Sequence, residues 1–91
     1  MPYITRDRRL TYDSALLSIA EKNPTWGDIN YCITTMILHK LARECATQPN
    51  FSEYDRRQAA IGVLECAKLE LYNRKVTPYE RAKRFENGDV Y

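Results

Sequence analysis

The chain of 91 residues has few of the residues that catalytic centres and turn-rich folds require. Three glycines and four prolines are too few for a β-sandwich, which needs many tight turns. The single histidine, His39, has Thr35 and Arg43 one helical turn away on either side, so the local pattern lacks the ligands of a metal site. The three glycines are isolated and form no phosphate-binding loop, and no serine or cysteine stands in a triad context.

Cysteines and apolar runs are also scarce. Cys32, Cys45 and Cys66 are odd in number and too far apart for a metal knuckle. We interpret them as small buried apolar residues in a reducing compartment. No apolar run approaches the roughly 18 residues of a membrane span, and the N-terminus has no apolar signal region. We therefore expect a cytoplasmic location, bacterial or host, and no membrane partner.

Neither charge sign dominates the composition. Fourteen basic and twelve acidic residues give a net charge of +2, which by itself does not predict nucleic-acid binding. Hydrophobic residues make up 44% of the chain, a balance typical of globular proteins. Scaling predicts that folding buries about 64% of the surface of a chain of this mass, enough for one modest core. We expect one helical domain over residues 1–91.

Apolar periodicity and capping residues predict an all-α fold, a compact bundle of three to four helices. A polar, arginine-rich arm covers residues 1–12, although Thr5 could cap a short helix there. A loop covers residues 47–51 and a tail covers residues 87–91. The predicted helices span residues 13–22, 25–46, 52–76 and 77–87.

Local signals set these boundaries. Asp13 or Ser14 is a natural N-cap for the first helix. Thr25 and Asp28 have the spacing of a capping box at the start of the second. At the last boundary two interpretations remain open: Pro78 either opens a new helix capped by residue 77, or kinks one long helix.

The third predicted helix is apolar on two sides. Leu64 and Leu71 lie on one face, whereas Gly62, Cys66 and Leu69 lie on the other. A helix that is apolar on two sides is usually buried on two sides. In so small a protein we expect the second side to contact another subunit, so we predict a homo-oligomer with Gly62, Cys66 and Leu69 at the interface. A central helix within one chain would give the same pattern.

Tyrosines alternate with basic residues near the C-terminus, a combination that can stack a base and hold a phosphate. The alternative is that the tyrosines line the rim of the core and that the basic residues complement the helix dipole. The hypothetical ligand-binding set comprises Tyr72, Arg74, Tyr79, Arg81, Glu65 and Lys68.

Carboxylates offer a second hypothesis. Burial among apolar residues would suit Glu65 or Glu70 to act as acid or base. The alternative is two ordinary helix ion pairs, Glu65 with Lys68 and Glu70 with Arg74. Beyond them, the turn-forming pair Asn87–Gly88 would fold the last two residues back onto the body or onto a neighbouring subunit, unless the end frays.

Three segments together carry a resemblance. They are residues 27–34 (GDINYCIT), residues 61–72 (IGVLECAKLELY), and residues 78–80 (PYE) with the tail 86–91 (ENGDVY). The chain resembles a family of small uncharacterised proteins of bacteriophages and bacteria over nearly its whole length, including the opening MPYIT. The family has no established activity. The resemblance implies that shared polar residues are candidates for a common site: Asp28, Asn30, Glu65, Lys68, Glu70, Tyr79, Asn87 and Asp89.

A phage setting also implies host-directed binding, including interference with a bacterial defence system. We expect a non-enzymatic binding protein, with no cofactor and no metal, that captures a host protein partner or a small anionic, nucleotide-like ligand. One alternative is a nucleic-acid-binding accessory protein, supported only by the basic stretches near each end. The other is a small enzyme that uses Glu65 or Glu70 as acid or base.

Overall fold

The computed structural model describes residues 2–50 and 52–91, so the predicted arm and the loop at 47–51 are described only in part. Within this part the chain is all-helical and contains no strand, which confirms that the fold is all-α. A π-helical segment, Tyr72–Val76, joins the last two α-helices without a break. The α-helices are α1 (Arg6–Ala20), α2 (Trp26–Thr47), α3 (Glu53–Leu71) and α4 (Thr77–Asn87).

Helix α1 begins well before the predicted start at Asp13. The Thr5 hydroxyl accepts a hydrogen bond from the Arg8 N–H at 3.3 Å and caps the helix. Asp7 lies in the first turn, where the helix dipole favours a negative charge. No glycine or proline interrupts residues 6–12, so the Thr5 cap is sufficient to start the helix there. Most of the predicted arm is therefore helical.

The boundary between α1 and α2 follows the prediction. Asn23 adopts a positive φ of 51°, and Pro24 follows it and prevents the helix from continuing. Thr25 and Asp28 then form a complete capping box. The Thr25 hydroxyl accepts from the Asp28 N–H at 3.1 Å, and the Asp28 carboxylate accepts from the Thr25 N–H at 2.9 Å.

Of the two interpretations of Pro78, the continuous helix is correct. Thr77 has helical φ and ψ and no capping hydrogen bond precedes α4, so residue 77 is not an N-cap. Proline has no N–H, and its ring conflicts with the carbonyl four residues earlier. The π segment accommodates this: the Thr77 N–H bonds the Tyr72 carbonyl, five residues back.

The described residues form two compact units, residues 2–60 and residues 61–91. Neither unit buries an apolar side chain among the described residues; the one buried side chain is that of Arg56. The core expected from the composition is therefore absent from the part of the chain that the structure describes. The prediction of buried cysteines is wrong for the same reason, since Cys45 and Cys66 are exposed and Cys32 is half-buried. No helix in the described part combines the length and the hydropathy that a bilayer crossing requires.

Candidate functional site

A cavity with a volume of about 480 Å³ lies in the unit formed by residues 61–91. We call it the tail pocket. Its wall comes from the π segment, from α4 and from the tail that follows α4. It is lined by Tyr72, Thr77, Glu80, Arg81, Lys83, Arg84, Gly88, Asp89, Val90 and Tyr91.

The tail pocket brings together three basic side chains, two of which are already paired. The Lys83 ammonium lies 3.1 Å from the Glu86 carboxylate, and the Arg84 guanidinium lies 3.9 Å from the Asp89 carboxylate. Arg81 has no ion pair or hydrogen bond with any other described residue. Its guanidinium is therefore the group best placed to bind an added anion, because no internal pair has to be broken.

The predicted Tyr/Arg set divides in the structure. Tyr72 and Arg81 both line the tail pocket. Arg74 does not line it, and its Nε donates to the Glu70 carboxylate at 3.1 Å. Tyr79 also lies outside the lining, although the Lys83 ammonium is 5.8 Å from the centre of its ring, in cation–π range.

Glu65 and Glu70 make the ion pairs predicted as the structural alternative. The Lys68 ammonium donates to Glu65 at 3.3 Å, and Arg74 pairs with Glu70 at 3.1 Å. None of these four residues lines the tail pocket. Exposed helix pairs of this kind contribute only about 0.3–0.5 kcal/mol each.

The shared polar residues have local structural contacts. Asp28 belongs to the capping box, and Asn30 accepts a hydrogen bond from the Thr34 hydroxyl at 3.1 Å on α2. Asn87 is the last residue of α4. Of this group, only Asp89 lines the tail pocket, where it also accepts from the Tyr91 N–H at 2.9 Å.

Gly88 ends α4 with a φ of 89°, a conformation that glycine adopts at little cost. Helix α4 therefore ends where the sequence predicts. Val90 and Tyr91 nevertheless remain almost fully exposed, so the expected packing of these side chains onto the body does not occur in the single chain. The tail instead forms one open wall of the pocket.

A second cavity, of about 340 Å³, lies in the unit formed by residues 2–60. Its apolar wall comes from α2 and includes Leu38 and Leu41, while Arg56 and Arg57 from α3 supply a polar wall. Arg56 is 95% buried; its Nη2 donates to the Gln48 carbonyl, and its Nε has no partner among the described residues. Sequence reasoning missed Arg56 because nothing in the pattern marks this arginine as different from its neighbours.

His39 is exposed on α2. Within the described residues, no group of three or more histidine, cysteine, aspartate or glutamate side chains is arranged to hold a metal ion.

Comparison with known proteins gives one result. A family model described as Domain of unknown function (DUF6899) matches residues 1–90. The chain belongs to this family. The match confirms the coarse part of the resemblance, an uncharacterised family that spans nearly the whole chain. No curated protein and no solved structure matches the DUF6899 chain.

Proposed function

We propose that this DUF6899 chain is a non-enzymatic binding protein whose tail pocket captures a small anionic ligand that carries a planar ring. The observation that carries the proposal is the unpaired Arg81 in a pocket that also contains Tyr72 and Tyr91. A guanidinium binds phosphate or carboxylate in a bidentate manner, and tyrosine rings offer stacking surfaces.

The other polar groups of the pocket narrow the ligand class. Glu80 and Asp89 are hydrogen-bond acceptors, so they suit a ligand that has hydroxyl or amino donors beside its anionic group. The Thr77 hydroxyl is a further neutral donor or acceptor. A nucleotide combines all three features: a phosphate, a planar base and sugar hydroxyls. Inorganic phosphate would engage Arg81 but would leave the tyrosines and acceptors without partners.

Two further parts of the proposal concern the biological role of the protein and the choice between binding and catalysis. The resemblance to phage proteins favours a role in host interaction or counter-defence in the cytoplasm. We favour binding over catalysis because Glu65 and Glu70 are engaged by neighbouring cations and lie outside the pocket. We favour a small ligand over nucleic acid because basic side chains of the stretch near the C-terminus, namely Arg74, Lys83 and Arg84, already pair with acidic residues.

Calorimetric titration tests the proposal. The probes are a purine nucleoside monophosphate, the same nucleoside without phosphate, inorganic phosphate and a short single-stranded oligonucleotide. We expect the monophosphate to bind more tightly than either fragment. Affinity for the oligonucleotide alone, with a steep decrease as salt rises, would support the nucleic-acid alternative instead. Absence of binding by every probe at millimolar concentration would refute the proposal.

Arg81→Gln is the decisive variant. A hydrogen bond to a charged group is worth about 1.5–3 kcal/mol, which corresponds to a loss of roughly 10- to 150-fold in affinity. Arg57→Gln is the matched control, because Arg57 lies outside the tail pocket and pairs with Glu53. Equal affinity of the Arg81→Gln variant and the unchanged protein would exclude this pocket as the site.

A further inference from the structure

The second half of α3 is apolar on two sides, and both sides are exposed. Ile61, Val63, Leu69 and Leu71 each retain at least half of their accessible surface. A helix that is apolar on two sides is usually buried against other protein on both of them. In the single chain no described apolar side chain is buried.

The total exposed surface of the chain shows how much apolar burial is missing. The chain exposes 8630 Å², against about 5,500 Å² for a folded monomer of its mass, a difference of about 3,100 Å². Obligate homo-oligomer interfaces bury roughly 2,000–5,000 Å² in total, which is about 1,000–2,500 Å² on each chain of a dimer. The excess exposed area of one chain is therefore sufficient for such an interface.

Gly62 marks the side of α3 that a partner approaches. A glycine inside a helix destabilises it relative to alanine. Nothing in the single chain requires a glycine at this position: its φ is not positive, and an added Cβ would meet no other atom within 4 Å. Cys66 and Leu69 continue the same side of the helix over the next two turns.

The charges beside this side of the helix favour a second copy over a partner of opposite charge. Glu65 pairs with Lys68, and Glu70 pairs with Arg74, so the charges that flank Cys66 and Leu69 are neutralised within the helix. A net charge of +2 on the whole chain causes little repulsion between copies. Most soluble oligomers are symmetric homo-oligomers, in which the same patch faces itself across a two-fold axis.

We infer that the face of α3 formed by Gly62, Cys66 and Leu69 packs against the same face of a second copy of this chain. The second copy supplies the apolar surroundings that the single chain lacks, and the absence of a Cβ at Gly62 lets the two helices approach closely. The inference does not depend on the tail pocket, because none of these three residues lines it.

Native mass spectrometry and light scattering across a concentration series test the inference with Gly62→Leu. We expect multiples of the 10.7 kDa chain mass for the unchanged protein, and a dissociation constant at least tenfold higher for the variant. Ala82→Leu, an equally large side chain at an exposed position of α4, is the control and should assemble normally. An unchanged protein that stays monomeric at every concentration would overturn the inference.

Disulfide trapping gives a second readout that no folding defect can imitate. Mild oxidation of the unchanged protein should link two chains through Cys66, because residues near a two-fold axis meet their own copies. Cys66→Ser should abolish this covalent dimer, whereas Cys45→Ser should retain it. An oligomer that resists Gly62→Leu and forms no Cys66 cross-link would show that another surface makes the contact. Failure of nucleotide binding, by contrast, would leave both results unchanged.

Discussion

Replacement of Pro78 by alanine should change the tail pocket through the backbone alone. The π segment exists because Pro78 cannot donate to the carbonyl of Arg74 and its ring conflicts with that carbonyl. Alanine restores the N–H and removes the ring. We therefore expect residues 72–78 to change from π-helical to α-helical hydrogen bonding.

The geometric consequence follows from helix parameters. A π turn contains one residue more than an α turn, so the conversion shifts α4 by one helical step relative to α3, about 100° of rotation and 1.5 Å of rise. At the radius of the Cα atoms this moves Arg81 by about 4 Å relative to Tyr72. Binding sites tolerate displacements of only about 0.5 Å.

Two opposite effects are therefore expected from Pro78→Ala. One regained backbone hydrogen bond should raise the free energy of unfolding by about 1 kcal/mol. Nucleotide affinity should decrease at least tenfold, because Arg81 and Tyr72 no longer face the same ligand. The assays are thermal unfolding followed by circular dichroism, and calorimetric titration.

Amide hydrogen exchange reports the backbone change directly. Conversion gives residue 78 an amide bonded to the Arg74 carbonyl, so its exchange should be slow. Pro24→Ala, in the unit formed by residues 2–60, is the control and should leave nucleotide affinity unchanged. The reasoning is refuted if the amide of residue 78 is protected while affinity stays at the unchanged protein's value.

Two further predictions concern stability in the unit formed by residues 2–60. Thr25→Ala removes half of the capping box and should destabilise the protein by about 1 kcal/mol, which lowers Tm by roughly 4–8 °C. The control Thr11→Ala, at an exposed position of α1, should change Tm little. Equal Tm values for the two variants would show that the cap does not stabilise the protein. Arg56→Met should leave Tm unchanged or raise it, because the variant removes a buried guanidinium whose Nε has no partner among the described residues. A decrease of more than about 1 kcal/mol in the free energy of unfolding would show instead that the hydrogen bond to the Gln48 carbonyl stabilises the loop before α3.

Structural features that depend on residues within one or two helical turns of each other could be predicted from the sequence. The capping box at Thr25, the helix stop at Gly88 and the Glu65–Lys68 pair depend on residues three or four positions apart. The true start of α1 was missed because residues 6–12 lack an apolar stripe, whereas the Thr5 cap alone determines the boundary.

The candidate site was predicted only in part. Tyr72 and Arg81 were found by their chemistry, since tyrosine and arginine are the residue types that stack and bind anions. Their separation from Arg74 could not be predicted, because the π segment changes the helical register between them. The burial of Arg56 depends on the path of the chain before α3, which no periodicity encodes.

Native mass spectrometry of the protein purified gently from a bacterial cytoplasm tests the central claim most directly, because it reports subunit number and retained ligand together. The account predicts a mass that is a multiple of the 10.7 kDa chain, with additional mass of nucleotide size on each subunit. Arg81→Gln should remove the additional mass and keep the oligomer, while Gly62→Leu should reduce the oligomer to single chains. A bare monomer at all concentrations would contradict both the assembly and the ligand capture.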